Sequence, residues 1–551
     1  MTRFIVLILF LPVIFTPAYS TNAPTTSKLK HQNASTVYYV RPDGGSAEQC
    51  TGLVDAAYSG TGTGQPCAWN HPFQALPPAG TPRIAGGDTL LIAAGSYVMG
   101  YGAPGAEMCD EIGSYDCVMP PIPSGPSPDQ PTRILGVGWD AECPAPPELW
   151  GTGRPWFIVN MMDTNNVELA CLDITDHSGC IENHSGELAC ERDVAPYGDW
   201  ASYGLYAEDS ANVHLWNLNI HGLAAGGVHA GRLTDWTVEN VRVAGNGSVG
   251  WDGDLWDENG DSNSGTLLFR HWVVEWNGCG EPYPVDQPIG CWGQEAGGYG
   301  DGVGEAETGG DWIIEDSAFL HNTSDGLDLL YHTLGGTITL NRVWAEGNAG
   351  NQIKVTGQTT ITNSLLVGNC AFFEDQPFTY WVDHCRALGA TLQIVYTGGE
   401  QMSIVNSTIY GQGDGLIGAG PREGFECNGN ERIQLRNSVV LGDTDYFDAS
   451  DITFYFYQEG CGALKLDSDY NIAYGVKNLD CGTTNDFTAS GSHDICDDPQ
   501  VTGPLSGMAY DMTLLPSSPA LDSADATLCP ADDLLGNPRS AETCDRGAYE
   551  Q

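Results

Sequence analysis

Residues 300–355 read GDGVGEAETGGDWIIEDSAFLHNTSDGLDLLYHTLGGTITLNRVWAEGNAGNQIKV. An apolar-x-Asn-x-x-apolar core stands at Asn341 in TLNRVW, with a variant, IEDSAF, that puts Asp316 at the Asn position. Each core is followed within a few residues by an Asn- or Gly-rich turn. The same unit extends outward in both directions, as LWNLNI at Asn217, VENVRV at Asn240, ITNSLL at Asn363, IVNSTI at Asn406 and LRNSVV at Asn437. LFRHWV carries Arg270 at that position. Neighbouring units lie about 22–25 residues apart, a solenoid period. Larger gaps are near multiples of it or hold cysteine-bounded insertions. The runs are short and β-rich, with almost no amphipathic helix pattern. Short strands and sharp Asn/Gly turns at this period predict an all-β fold, a parallel β-helix. The recurring asparagines are expected to stack as an inward ladder that bonds backbone groups at a bend.

Around this solenoid the chain divides by texture. Residues 1–20 read as a secretory signal, with Arg3 before the apolar run FIVLILFLPVIF and Ala18-Tyr19-Ser20 at the cleavage positions. Residues 21–36 read as a flexible leader. Residues 37–496 are the expected β-helix with its N-terminal cap. Residues 497–551 lack the repeat and read as the C-terminal cap that a solenoid end requires. No span is expected in the mature chain, since no other apolar run is long enough. All eighteen cysteines fall in the mature chain, and an even count in an exported protein predicts disulfides. Proximity suggests Cys50/Cys67, Cys109/Cys117, Cys143/Cys171, Cys180/Cys190, Cys279/Cys291, Cys370/Cys385, Cys427/Cys461, Cys481/Cys496 and Cys529/Cys544.

A formal net charge of -50 argues against a nucleic-acid partner, which needs a basic footprint. It also disfavours adsorption to anionic membranes. Such a protein attracts divalent cations, and meets a polyanionic substrate only where metal ions or local bases offset the field.

The opening stretch contains two acidic turns, GDG at Asp301 and SDGLD at Asp325 and Asp328, and then Lys354, the only lysine between Lys30 and Lys465. Aligning the coils on Asn322 and Asn348 matches Asp325 with Asn351, Leu327 with Ile353 and Asp328 with Lys354. Matching GDGVG to SDGLD sets Asp301 beside Asp325. Matched positions on neighbouring coils lie ~4.8 Å apart. Alternation turns Leu327, Leu329, Ile353 and Val355 inward and Asp328 and Lys354 outward. Asp325 and Asp328 converge only if Gly326 supplies a bend. Three converging carboxylates with no His or Cys among them favour Ca2+ over zinc. A bare Lys354–Asp328 salt bridge would hold the lysine protonated, whereas calcium on the carboxylates would push its pKa down. A neutral lysine could then take the C5 proton of a uronic acid residue and start β-elimination.

The motifs GDG at Asp301, N-x-x-D-G-x-D over residues 322–328, and Lys354 in NQIKV resemble those of the family 9 polysaccharide lyases, extracellular enzymes that include pectate lyases. The closing D-x-x-G-x-x-R and G-A-Y-E patterns resemble those of secreted right-handed β-helix proteins. The resemblance implies a right-handed β-helix. It further implies Asp301, Asp325 and Asp328 as calcium ligands, Lys354 as the Brønsted base, and an acidic, uronate-containing polysaccharide as partner. Where that family often has a second Asp before the D-G, this chain has Ser324; Glu305 is a substitute ligand to consider. The expected protein is a secreted, monomeric, calcium-dependent lyase. Two other readings stand beside it. One is a non-catalytic carbohydrate-binding protein or adhesin; Trp251, Trp256, Trp276 and Trp292 are expected as exposed sugar platforms in either case. The other is a polygalacturonase-like hydrolase with paired carboxylates, for which the next coil offers only Asn351-Gln352. YWVDHC, with Asp383 and His384, reads as coincidence or as a groove wall, and the acidic loop at residues 251–263 as a solvated loop.

Overall fold

The computed structural model describes residues 35–182, 184, 188–190, 197–255, 260–281, 288–293, 299–385, 389–411, 415–442, 465–476, 491–504 and 510–551. The expected signal, nearly all of the leader, Trp256, Cys461 and Cys481 lie outside them. The described residues form a right-handed parallel β-helix with disulfide-bounded insertions and a C-terminal cap; they include no α-helix, only short 3-10 turns. No helix among them is long and apolar enough to cross a membrane. Seven of the suggested disulfides are present, from Cys50–Cys67 to Cys529–Cys544. The other two suggested pairs each include a residue outside the described set.

Nine strands stack in parallel to make one wall, from Phe157–Asn160 through Val303–Gly304, Leu327–Leu329 and Ile353–Thr356 to Ile417–Pro421. Most of the remaining strands join a second, twenty-stranded network. Alternation within each strand sends one face inward. Leu327, Leu329, Ile353 and Val355 are fully buried, as their period of two requires. Large rings fill the interior: Trp251, Trp272 and Trp312 are inaccessible, and Phe269 stacks on Trp312 at 5.3 Å between centroids. Trp251 is therefore core, not a sugar platform. Its place in the alternation, one residue before Asp252 on the cleft side, settles its direction.

The predicted asparagine ladder divides into two. Asn217, Asn240, Asn363, Asn406 and Asn437 sit at a corner with positive φ, from 46° to 53°, a conformation Asn tolerates better than most residues. At Asn217 and Asn240 this corner column points outward, not into the core. Asp316 shares the corner, with φ 50°, but its partners are displaced by one residue from the sequence expectation. Strand register pairs Glu315 with Asn341 and Glu239 with Arg270, so the corners there are Arg342 (φ 55°) and His271 (φ 48°). The buried residue on each side, such as Leu340 and Val343, decides which position turns the corner.

The inward ladder is instead Asn246, Asn277, Asn322 and Asn348, from the turns that follow each corner. Asn277 Nδ2 donates to Asn322 Oδ1 at 2.9 Å, Asn322 Nδ2 to Asn348 Oδ1 at 2.8 Å, and Asn348 Nδ2 to Gln352 Oε1 at 2.8 Å. Leaving one such buried amide without its partner costs about 1–3 kcal/mol. Gly250, Gly302 and Gly326 lie against this ladder. A Cβ on Gly326 would stand 2.5 Å from the Gln352 carbonyl oxygen and 2.6 Å from Asn348 Nδ2. Gly326 is thus needed for close approach and not for a positive φ, which corrects the reason given for it above.

Candidate metal and catalytic site

The site grows from a single outward column on the nine-stranded wall. Register pairs Asp252 with Gly304, Gly304 with Asp328, and Asp328 with Lys354. The match of Asp328 to Lys354 and of Leu327 to Ile353 is the one read from the turn asparagines. Just before these strands, the turns place Asp301 and Asp325 on adjacent coils, where the Asp325 amide donates to Asp301 Oδ1 at 2.8 Å. Gly326, free of a side chain, lets Asp325 and Asp328 reach the same patch.

One carboxylate oxygen from each of Asp301, Asp325 and Asp328 lies within 4.8 Å of the other two, and all three residues are buried. Lys354 Nζ donates to Asp325 Oδ2 at 3.1 Å and to Asp328 Oδ2 at 2.8 Å. The other oxygens are held by the fold. Asp325 Oδ1 accepts from the Asn351 amide at 2.6 Å and from Asn351 Nδ2 at 2.9 Å, and Asp328 Oδ1 accepts from the Leu330 amide at 2.9 Å. Asn351 thus orients Asp325 rather than supplying a catalytic pair.

Burial dominates the electrostatics. It pushes the Asp301 carboxyl up to about 7, helped by the charges on Asp325 and Asp328. Burial also raises Asp328, with the ammonium of Lys354 opposing. For Lys354 burial pulls downward, but the charges on Asp325 and Asp328 outweigh it and hold the ammonium protonated. Were all three carboxylates ionised beside the one ammonium, the buried patch would carry a formal excess of two negative charges (−3 + 1 = −2), which is what burial resists by raising Asp301 and Asp328. A divalent cation cancels that excess, and an all-oxygen donor set suits calcium. The residues present therefore fit calcium.

Ser324 is buried with its hydroxyl beside Asp301. Glu305 lies in the wall of the same cleft, and its Oε2 accepts from Asn263 Nδ2 at 3.1 Å. Glu305 is not within the 4.8 Å cluster. Asp383 and His384 do not line the cleft.

The cleft over the cluster measures ≈ 420 Å³. Sequence reasoning missed part of its wall: Tyr203, Asp252, Asp254, Tyr299 and Tyr331 line it. Asp254 is pushed up to about 6 by burial and by the charges of Asp252 and Asp261. A signal was present for Asp252. GWD at residues 250–252 and GLD at residues 326–328 are the same Gly-apolar-Asp step, and the coils stack them in one column. Reading the loop at residues 251–263 as wholly solvated hid that match.

No protein-family model matches the chain, and no curated protein does. Among solved structures the chain is similar to pectate lyase Pel9A, at 16% identity over 94% of this chain and 98% of that one, with a TM-score of 0.42. It is similar to the A-module of the Azotobacter vinelandii mannuronan C-5 epimerase AlgE4, at 11% identity over 74% and 91%, TM-score 0.40. It is also similar to a rhamnogalacturonan lyase, at 13% identity over 79% and 87%, TM-score 0.39.

Proposed function

We propose that the protein is a secreted polysaccharide lyase that cleaves a uronic-acid-containing polymer by calcium-assisted β-elimination. The observation that carries this reading is the cluster of Asp301, Asp325 and Asp328, two of which, Asp325 and Asp328, bond the amine of Lys354, in the lining of one cleft. Asp301, Asp325 and Asp328 would hold the ion. Bound there, calcium supplies positive charge for a uronate carboxylate and for the negative charge that spreads onto it as C5 loses its proton.

The chain's own residues do the rest. Lys354 Nζ takes the C5 proton, the C5 electron pair forms the C4–C5 double bond, and the C4–O bond breaks. The departing oxygen takes a proton from solvent and becomes a new chain end. The ion pairs to Asp325 and Asp328 keep Nζ protonated, so a base role requires those carboxylates to be engaged by a cation. Asn351 keeps Asp325 oriented for that exchange.

The test is a calcium-dependent assay for the ultraviolet absorbance of an unsaturated uronide end. Lys354→Ala should lower turnover by about 10²–10⁴-fold with an unchanged circular dichroism spectrum. Full activity in that variant would sink the mechanism. Asp325→Ala should weaken calcium binding at least about tenfold, read by calorimetry; unchanged affinity removes the metal assignment. New reducing ends without the chromophore would indicate the hydrolase reading instead.

A further inference from the structure

A second pocket, ≈ 350 Å³, opens on the same wall of the solenoid, toward the N-terminal coils. Its lining includes the rings of Tyr115, Trp156, Phe157 and Tyr206. Trp156 is 38% and Tyr115 40% exposed, although both are large and apolar, and the Trp156 amide donates to the Tyr115 carbonyl at 3.0 Å. The two exposed rings are therefore held on adjoining backbone.

A chain of ring contacts leads from the pocket to the buried His229, beside the cleft. Phe157 stacks on Tyr206 at 5.1 Å and 16°, and Tyr206 stacks on His229 at 5.3 Å and 15°. His229 Nδ1 bonds Asp252 Oδ2 at 2.8 Å, and Asp252 lines the cleft. From Tyr206 onward one register column runs to the cleft: Tyr206 pairs with His229, His229 with Asp252, Asp252 with Gly304, Gly304 with Asp328 and Asp328 with Lys354. Five steps of ~4.8 Å put Tyr206 ~24 Å from Lys354 along the solenoid. An extended glycan lying across the strands would meet both.

The pocket's charge restricts what it takes. Among the described residues no Lys or Arg lines it, while Asp116 and Glu208 do. Glu208 is offset by Arg232 at 3.4 Å and by the Tyr206 hydroxyl at 2.8 Å; Asp116 adds a carboxylate with no basic residue in the lining. A uronate carboxylate has no basic partner among these lining residues. The C–H face of an uncharged pyranose suits flat rings, which bury apolar area and leave the sugar hydroxyls at the rim.

We propose that this pocket is a distal subsite for an uncharged sugar residue of the same polymer whose uronate lies at Lys354, so that the substrate is a copolymer of uronate and neutral sugar. This rests on the function proposed above. The test is affinity electrophoresis of the whole protein through gels holding single polysaccharides. Polygalacturonate and alginate serve as all-uronate probes, and rhamnogalacturonan and xanthan as copolymers with neutral sugars. The wild type should be retarded at least about tenfold more strongly, by dissociation constant, by a copolymer than by either all-uronate polymer. Trp156→Ala and Tyr115→Ala should each remove most of that preference, with circular dichroism unchanged. Equal retardation by the all-uronate polymers, or a preference untouched by both substitutions, overturns the subsite. Calcium-dependent elimination on polygalacturonate in that case would leave the lyase reading intact. No retardation by any probe overturns the subsite, and absence of elimination on all four polymers would count separately against the lyase.

Discussion

Gly326 sits between two of the carboxylates that meet Lys354, and its missing side chain decides whether they can meet. Replacing it by Ala puts a methyl group 2.5 Å from a backbone oxygen, where no flexible side chain can yield. Gly326→Ala should lower stability by about 1–3 kcal/mol, read as a shift in denaturant midpoint. It should also weaken calcium binding, because any backbone displacement moves Asp325 and Asp328 together. Retained stability with retained affinity would refute this account. The pairing of Asp328 with Lys354 was legible in the sequence because alternation and the turn asparagines agree on one register. The corners at Arg342 and His271 were not, because a neighbouring Asn341 or Arg270 fits the motif as well, and only burial of the flanking residues separates them.

At the scale of elements, the insertion that starts at Cys279 is anchored by charge as well as by its disulfide. His221, on the strand Ala211–His221, bonds Glu281 Oε1 through Nδ1 at 2.7 Å and Asp173 Oδ1 through Nε2 at 3.0 Å. Burial alone would lower its pKa, but the two carboxylates more than compensate and push it up to about 10. A histidine raised from 6.5 to about 10 adds stability that is fully present below pH 6.5 and is lost as pH rises through about 10. His221→Gln should therefore cost about 3–5 kcal/mol at low pH, with the difference from wild type shrinking toward alkaline pH in paired thermal melts. A difference that stays constant across that window would mean the imidazolium is not the anchor. The strands themselves were readable from period and alternation. This anchor was not, since its three members lie on different coils and no local pattern links them.

For the whole molecule, the closing segment binds coils that are far apart in sequence. Arg539 donates to Asn363 Oδ1 at 3.2 Å and to the Gly547 carbonyl at 2.8 Å. Asn406 Nδ2 donates to the Asp545 carbonyl at 3.0 Å, Asn437 Nδ2 to the Asp525 carbonyl at 3.1 Å, and Arg342 reaches Asp532 at 3.1 Å. The segment thus runs along the corner column and does more than cover a last coil. Arg539→Ala should cost about 3–5 kcal/mol. Limited proteolysis should then find its first cuts in the closing segment, whereas cuts confined to the insertions would argue against a clasp. The lack of repeat marked this region as different in sequence; which coils it holds depended on the corner asparagines, whose outward direction was not foreseen.

That clasp has a consequence in time. A ribosome delivers the coils around Asn363, Asn406 and Asn437 well before it delivers Arg539 and Asp545. Until those arrive, the corner amides face water and the later coils form a seam still open along one side. The finished seam therefore records that synthesis ran through Arg539. A chain that stopped short of it would carry Lys354 and all three aspartates, yet present an unfastened edge to any protease it met.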